Sequence, residues 1–219
     1  MKIRYLGHAT FLVTTGDGIR IILDPYEPGG FGGQIAYGAY TEPVDIAVVS
    51  HDHADHNYVR GLKGNPAVVR GSRDQTVRGI EFRAIPVFHD PHGGADRGEN
   101  VIRVFTADGL TLCHVGDLGH TLTEDTVTQI GGVDILFLPV GGRFTIDAES
   151  ATKVADSLAA KVVIPMHFKT AKVDFGLAPV EDFLRGKEGR TQKLGVSEVE
   201  AVSDRLPAQR EIWVLQPAL

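Results

Sequence analysis

The segment Ser50-His51-Asp52-His53-Ala54-Asp55-His56 constrains this chain more than any other. It follows directly on residues 45–50, Asp-Ile-Ala-Val-Val-Ser, whose apolar middle predicts a short buried strand. Three imidazoles and two carboxylates therefore crowd the end of a core strand. In an extended segment, residues two apart share a face, so His51 and His53 converge on one point. Where the chain then turns into a helix, Asp55 and His56 reach a second point a few ångströms away. Imidazole and carboxylate at this density suit Zn²⁺ or another first-row divalent ion. The chain has one cysteine, Cys113, which excludes an intramolecular disulfide and a Cys-rich zinc site and leaves metal chemistry to His and carboxylate.

Further donors stand at the ends of strand-like runs. Strands are predicted over residues 2–6, 11–15 and 19–23, with Asp17-Gly18 as the hairpin turn between the last two. Residues 67–70 and 80–88 follow, the second run ending at His89. Residues 101–107 and 110–115 form a hairpin around Asp108-Gly109 and lead to Asp117. The run 135–140 ends in Gly141-Gly142, 162–166 ends at His167, and 212–215 is the last strand. Side chains at strand ends project into a common pocket on a sheet rim, so His89, Asp117 and His167 join the cluster.

A helix is predicted over 147–160, where Ala148, Ala151, Val154, Ala155, Leu158 and Ala159 recur at three and four behind an Asp147 cap. Shorter helices are expected at 123–130 and 179–184. The glycine-rich stretch 28–38, with Phe31 and Tyr37, reads as a surface loop or an active-site lid. Residues 90–100 read as a loop, and 185–209 fit no single element. Each part of the chain opens with a hairpin and continues as strand–helix alternation, without a low-complexity linker. We therefore expect one domain over 1–219 made of two similar halves. About ten strands and four or five helices imply an α/β arrangement, sheets covered by helices. The 26 glycines and 11 prolines argue against a plain helix bundle.

His-x-His-x-Asp-His resembles the metal-binding motif of the metallo-β-lactamase superfamily. Asp24 in Leu-Asp-Pro, His89 in Val-Phe-His, Asp117 in Val-Gly-Asp and His167 in Pro-Met-His follow in that superfamily's order. Gly7-His8-Ala9-Thr10 and Leu138-Pro139-Val140-Gly141 resemble the branch of uncharacterised metal-dependent hydrolases that includes ascorbate-6-phosphate lactonase. The likeness covers about residues 1–185. It implies a four-layer αββα sandwich with two divalent ions at one edge of the sheets. His51, His53 and His89 would hold the first ion, Asp55, His56 and His167 the second, and Asp117 would bridge them. No cysteine is available at the second ion, unlike many antibiotic-degrading members. The harder donor set suits Zn²⁺ and admits Mn²⁺, Fe²⁺ or Ni²⁺.

The activity implied is hydrolysis of a small ester, lactone or phosphodiester by a hydroxide carried on the metal, with Asp55 orienting it or passing its proton on. The alternative on the same fold is a diiron oxidoreductase handling oxygen or sulfur substrates. A non-catalytic metal-binding protein would have lost ligands, and none of the seven is lost. Asp24 is either a residue that steadies a ligand or a turn residue before Pro25, and His8 either faces the site or makes a structural hydrogen bond. His120 is a weaker candidate of the same kind. Arg97 and Arg143 are either solvent-facing or contacts for an anionic substrate.

With 22 cationic against 28 acidic side chains, the net charge of −6 gives no footprint for a nucleic acid, and a small-molecule substrate is expected. No apolar stretch reaches the length of a membrane span, and Lys2, Arg4 and His8 interrupt the first apolar pattern. With the lone thiol, this leads us to expect a soluble cytoplasmic protein without a membrane partner. Open strand edges would admit a homo-oligomer.

Overall fold

The computed structural model describes residues 1–173 and 175–219. The first sheet begins as an antiparallel meander of β1 (Lys2–Gly7), β2 (Thr10–Thr14) and β3 (Arg20–Leu23). It continues in parallel with β4 (Ile46–Val48) and β5 (Ala67–Val69). The second sheet repeats the plan. A short β6 (Gln75–Val77) precedes a meander of β7 (Ile80–Phe88), β8 (Glu99–Ala107) and β9 (Leu110–His114), followed in parallel by β10 (Ile135–Pro139) and β11 (Val162–Met166). The two similar halves expected from the sequence are present in this topology.

The pairing fixes strand direction and thereby the place of the site. β1, β3 and β4 end at one rim of the first sheet, and β7, β9, β10 and β11 end at one rim of the second. Equivalent strands end in like residues: β1 runs into His8 and β7 into His89, β3 into Asp24, and β9 shortly into Asp117.

Alternation along the strands fills the space between the sheets. Ile3, Tyr5, Phe11, Val13, Ile21, Leu23, Ile46 and Val48 join Ile102, Leu112, Phe137 and Ile164 in one core. Leu6, Leu12, Ile22 and Ala47, one residue out of step, face outward into a smaller cluster. Phe11 of β2 meets Phe137 of β10 at 4.5 Å between ring centroids, joining the two sheets. Arg103 of β8 crosses the interior as well, its Nη2 donating to the carbonyls of Val49 (3.1 Å) and Gly71 (2.6 Å).

The regular helices lie against the second sheet. α1 (Gly30–Gly33) is a single turn in the glycine-rich segment, whereas α2 (Glu124–Ile130), α3 (Ala148–Leu158) and α4 (Val180–Leu184) are regular. The Asp147 side chain caps α3 by accepting from the Ser150 N–H at 2.8 Å, and Ala151, Val154, Ala155 and Leu158 form its buried stripe. The αββα sandwich is thus thin on one side. The outer face of the first sheet is covered by Tyr40, Val59, Leu62 and the terminal Ala218 and Leu219.

Residues 185–209, ambiguous in sequence, contribute β12 (Thr191–Lys193) to the edge of the second sheet and β13 (Glu198–Glu200) to the edge of the first. The last strand, β14 (Glu211–Val214), lies between β12 and β11. These strands are three or four residues long and partly exposed, so they carry too little periodicity to be read from sequence. No helix of the described residues is long and apolar enough to cross a membrane.

Candidate metal centre

Four of the loops that leave the common rim deliver the expected ligands. The turn after β4 brings His51, His53, Asp55 and His56; the ends of β7, β9 and β11 bring His89, Asp117 and His167. One ligand atom from each of His51, His53 and His89 lies within 4.8 Å of the others, and the same holds for His8, Asp55, His56 and His167. Asp117 stands between these groups. Its Oδ2 is 3.2 Å from His89 Nε2 and 3.4 Å from His167 Nε2, while Oδ1 is 3.2 Å from His56 Nε2. The first group is the trio expected at one ion, and the second holds Asp55, His56 and His167 together with His8.

Asp24 decides how two of these imidazoles are presented. Its Oδ1 accepts from the Ser50 N–H (2.7 Å), and its Oδ2 accepts from the Ser50 hydroxyl (2.6 Å) and His56 Nδ1 (2.9 Å). The Nδ1 hydrogen of His56 is thereby engaged by Asp24, which leaves Nε2 as the atom that faces Asp117 and that a metal would take once its proton is lost. Ser50 extends the effect: having given its hydrogen to Asp24, its oxygen accepts from His51 Nδ1 at 2.9 Å, freeing His51 Nε2 for the site. Asp24 therefore holds His56 directly and His51 through Ser50.

His8 also belongs to the site. Its Nε2 lies 3.0 Å from Asp55 Oδ2, and its ring sits 4.2 Å from that of His167. The contact to Asp55 fits N–H donation, which orients the carboxylate. His120 is not brought in: its Nε2 accepts from the Phe88 N–H (3.2 Å) and its Nδ1 donates to the Thr121 carbonyl (2.8 Å), so both nitrogens serve the backbone. Arg97 lines the cleft above the cluster, whereas Arg143 is exposed and packs its guanidinium against the Phe144 ring.

Three residues that the sequence reading did not single out hold the turn before Asp117. Asn100 donates to the Val115 carbonyl at 2.8 Å and accepts from the Asp117 N–H at 3.3 Å. His114 lies between the Ala9 carbonyl (3.1 Å) and the Gly116 N–H (3.0 Å), linking the two sheets at the rim. Gly116 has φ 56°, and a Cβ there would stand 2.3 Å from Asn100 Oδ1 and 2.6 Å from the Ser50 Cβ. The strand-end place of His114 was the one available signal; a lone buried Asn gives none.

The electrostatics ask for a cation. Asp24, Asp55 and Asp117 are all buried, and among the described residues their ionic partners are imidazoles, never lysine or arginine. Burial and the His56 imidazole drive His51 down to about 3, and burial with His167 drives His8 down to about 4, so both are neutral. Burial would also lower His56, but the Asp117 and Asp55 carboxylates outweigh it and hold the ring well above its ordinary value. A proton at His56 thus stands in for positive charge that two or three carboxylates demand. Both His56 Nε2 and Asp117 Oδ1 are buried without a hydrogen-bond partner among the described residues. Unpaired buried donor atoms that converge from imidazole and carboxylate fit a divalent ion.

Residues 2–167 match the model of a Beta-lactamase superfamily domain. A crystal structure from Thermotoga maritima, assigned as a Zn-dependent hydrolase of the metallo-beta-lactamase superfamily, superposes with a TM-score of 0.80 at 36% identity, covering 98% of this chain and 97% of that one. The UPF0173 metal-dependent hydrolase of Methanoculleus marisnigri is 31% identical, over 78% of this chain and 82% of its own length. That of Hyperthermus butylicus is 28% identical, over 78% and 85%.

Proposed function

The chain belongs to the metallo-β-lactamase superfamily, and on that premise we propose that it is a metal-dependent hydrolase of a small ester, lactone or phosphodiester. Two divalent ions would be held by His51, His53 and His89 on one side and by Asp55, His56 and His167 on the other, with Asp117 between them. Zn²⁺ suits this donor set, as do Mn²⁺, Fe²⁺ and Ni²⁺. The observation that carries the reading is the set of three buried carboxylates whose ionic partners, among the described residues, are imidazoles alone. When bound, such ions polarise the electrophile's oxygen and lower the pKa of a water.

The chain's own residues do the rest. Asp24 and Ser50 keep the hydrogens of His56 and His51 on Nδ1, turned away from the reacting centre. Asp55 lines the open cleft with its Oδ2 held by His8. There it can take the proton of the attacking water and return it to the leaving group. The cleft measures about 510 Å³, within the range of small-molecule sites. Together with the net charge of −6, this favours a small molecule over a nucleic acid.

The test is a panel of esters, lactones and phosphodiesters offered to chelator-stripped and metal-reloaded protein. Hydrolysis of at least one class should vanish on stripping, return with Zn²⁺ or Mn²⁺, and be absent in His51→Ala. Turnover that survives full removal of metal would overturn the reading, and so would iron-dependent oxygen consumption without hydrolysis.

A further inference from the structure

The cleft above the metal centre has two chemically distinct walls. One is aromatic and centres on Phe175, which meets Phe31 at 5.4 Å and Phe144 at 6.2 Å, both edge-on. Phe31 is 52% exposed and sits in α1 at φ 53°, a left-handed conformation that bulky residues rarely adopt. An aromatic ring held out at the mouth of a cleft in a strained turn serves contact with a ligand better than it serves the fold.

The other wall carries Arg97, which shares the cleft with His53 and His89. Its side chain is pinned by the Phe144 ring, 5.7 Å from Cζ, and its backbone N–H donates to Asp90 Oδ2 at 2.8 Å. Asp90 governs the whole loop, because its carboxylate also accepts from the N–H groups of His92, Gly94 and Asp96. One end of that loop is His89 and the other is Arg97. Among the described residues no carboxylate lies within ion-pair distance of Arg97, while the acidic Asp52 of the same cleft lies 4.0 Å from Arg70. Arg97 thus brings to the cleft a positive charge that no carboxylate among the described residues neutralises.

We propose that the site selects compounds in which a carboxylate or phosphate group accompanies an apolar acyl or aryl group. Arg97 takes the anion and Phe31, Phe144 and Phe175 seat the apolar part. This narrows the substrate class of the hydrolase reading and rests on it for the word substrate; as a statement about binding it can be tested alone. Arg presents a planar fork that matches carboxylate and phosphate oxygens, and the ring beneath it leaves that fork free. Asp90 is a positioning residue that sets Arg97 and His89 together.

The experiment is calorimetric titration of the Zn²⁺-loaded protein with 4-phenylbutyrate, 3-phenylpropyl phosphate, 4-phenylbutyramide and acetate. The two aryl anions should bind about ten- to a hundredfold more tightly than the neutral amide or acetate. The tighter of the two identifies the anion preferred. Arg97→Gln should erase the preference for anion over amide, and Phe31→Ala should weaken the aryl anions while leaving acetate unchanged. Equal affinity for acid and amide, or an unaltered preference in Arg97→Gln, would overturn the proposal. A protein that shows these preferences yet hydrolyses no ester, lactone or phosphodiester would refute the hydrolase reading and leave the binding proposal standing.

Discussion

Asp24 does not line the cleft, yet it fixes the hydrogen on His56 directly and on His51 through Ser50. Replacing it by Asn puts an N–H donor or a neutral oxygen where three donors converge, and one imidazole loses its orientation. Partners of this kind are worth about 10–100-fold in metal affinity. Asp24→Asn should therefore bind Zn²⁺ weaker by that factor in competition with a chromophoric chelator. His56 offers a second test. Its folded-state pKa is raised, so near neutral pH the metal-free protein holds a proton there that the unfolded chain largely lacks. Metal uptake on that side must displace it. Calorimetry in buffers of different ionisation enthalpy should read release of about one proton at pH 7, and no release would show His56 neutral before binding.

The loop between β7 and β8 shows what a single carboxylate does for an element. Burial pushes Asp90 upward, but N–H donation from Arg97, His92, Gly94 and Asp96 wins and brings it down to about 2, from an ordinary 3.8. A carboxyl depressed in the folded state contributes stability that is present above pH 3.8 and lost as pH falls through about 2. In Asp90→Asn that acid-side dependence should weaken, and hydrogen exchange at the Gly94, Asp96 and Arg97 amides should quicken. Unchanged exchange would show that the loop is held otherwise. The role of Asp90 was illegible in the sequence, since its partners are backbone groups, which every residue carries. The candidate ligands were legible because they stand at or just beyond the ends of apolar runs, as in Val-Val-Ser-His and Pro-Met-His. The glycine-rich segment was read only as loop or lid. Its folded part, Ile35 and Tyr37, is buried against Val173 and Phe175 far along the chain, a contact that no local pattern announces.

At the scale of the molecule, two meander-and-parallel halves meet across one core and place their strand ends on a shared rim. Phe137 links them through Phe11, and Phe137→Ala should cost about 3–5 kcal/mol in urea unfolding. The duplication was visible in the sequence as two hairpins, each followed by alternation. The thin outer cover of the first sheet was not, because Tyr40, Val59 and Leu219 reach it from three distant places. The rim explains why residues as far apart as His51 and His167 form one centre, and why three buried carboxylates need no lysine or arginine if ions are bound. The residues at this rim would hold two ions, with Asp117 standing between the two groups of donors. Elemental analysis of protein reloaded with Zn²⁺ or Mn²⁺ and freed of loose metal tests it most directly. The account predicts two ions per chain in the wild type and fewer than two in Asp117→Ala. A wild-type content that never exceeds one ion per chain, at any metal concentration that leaves the fold intact, would contradict it.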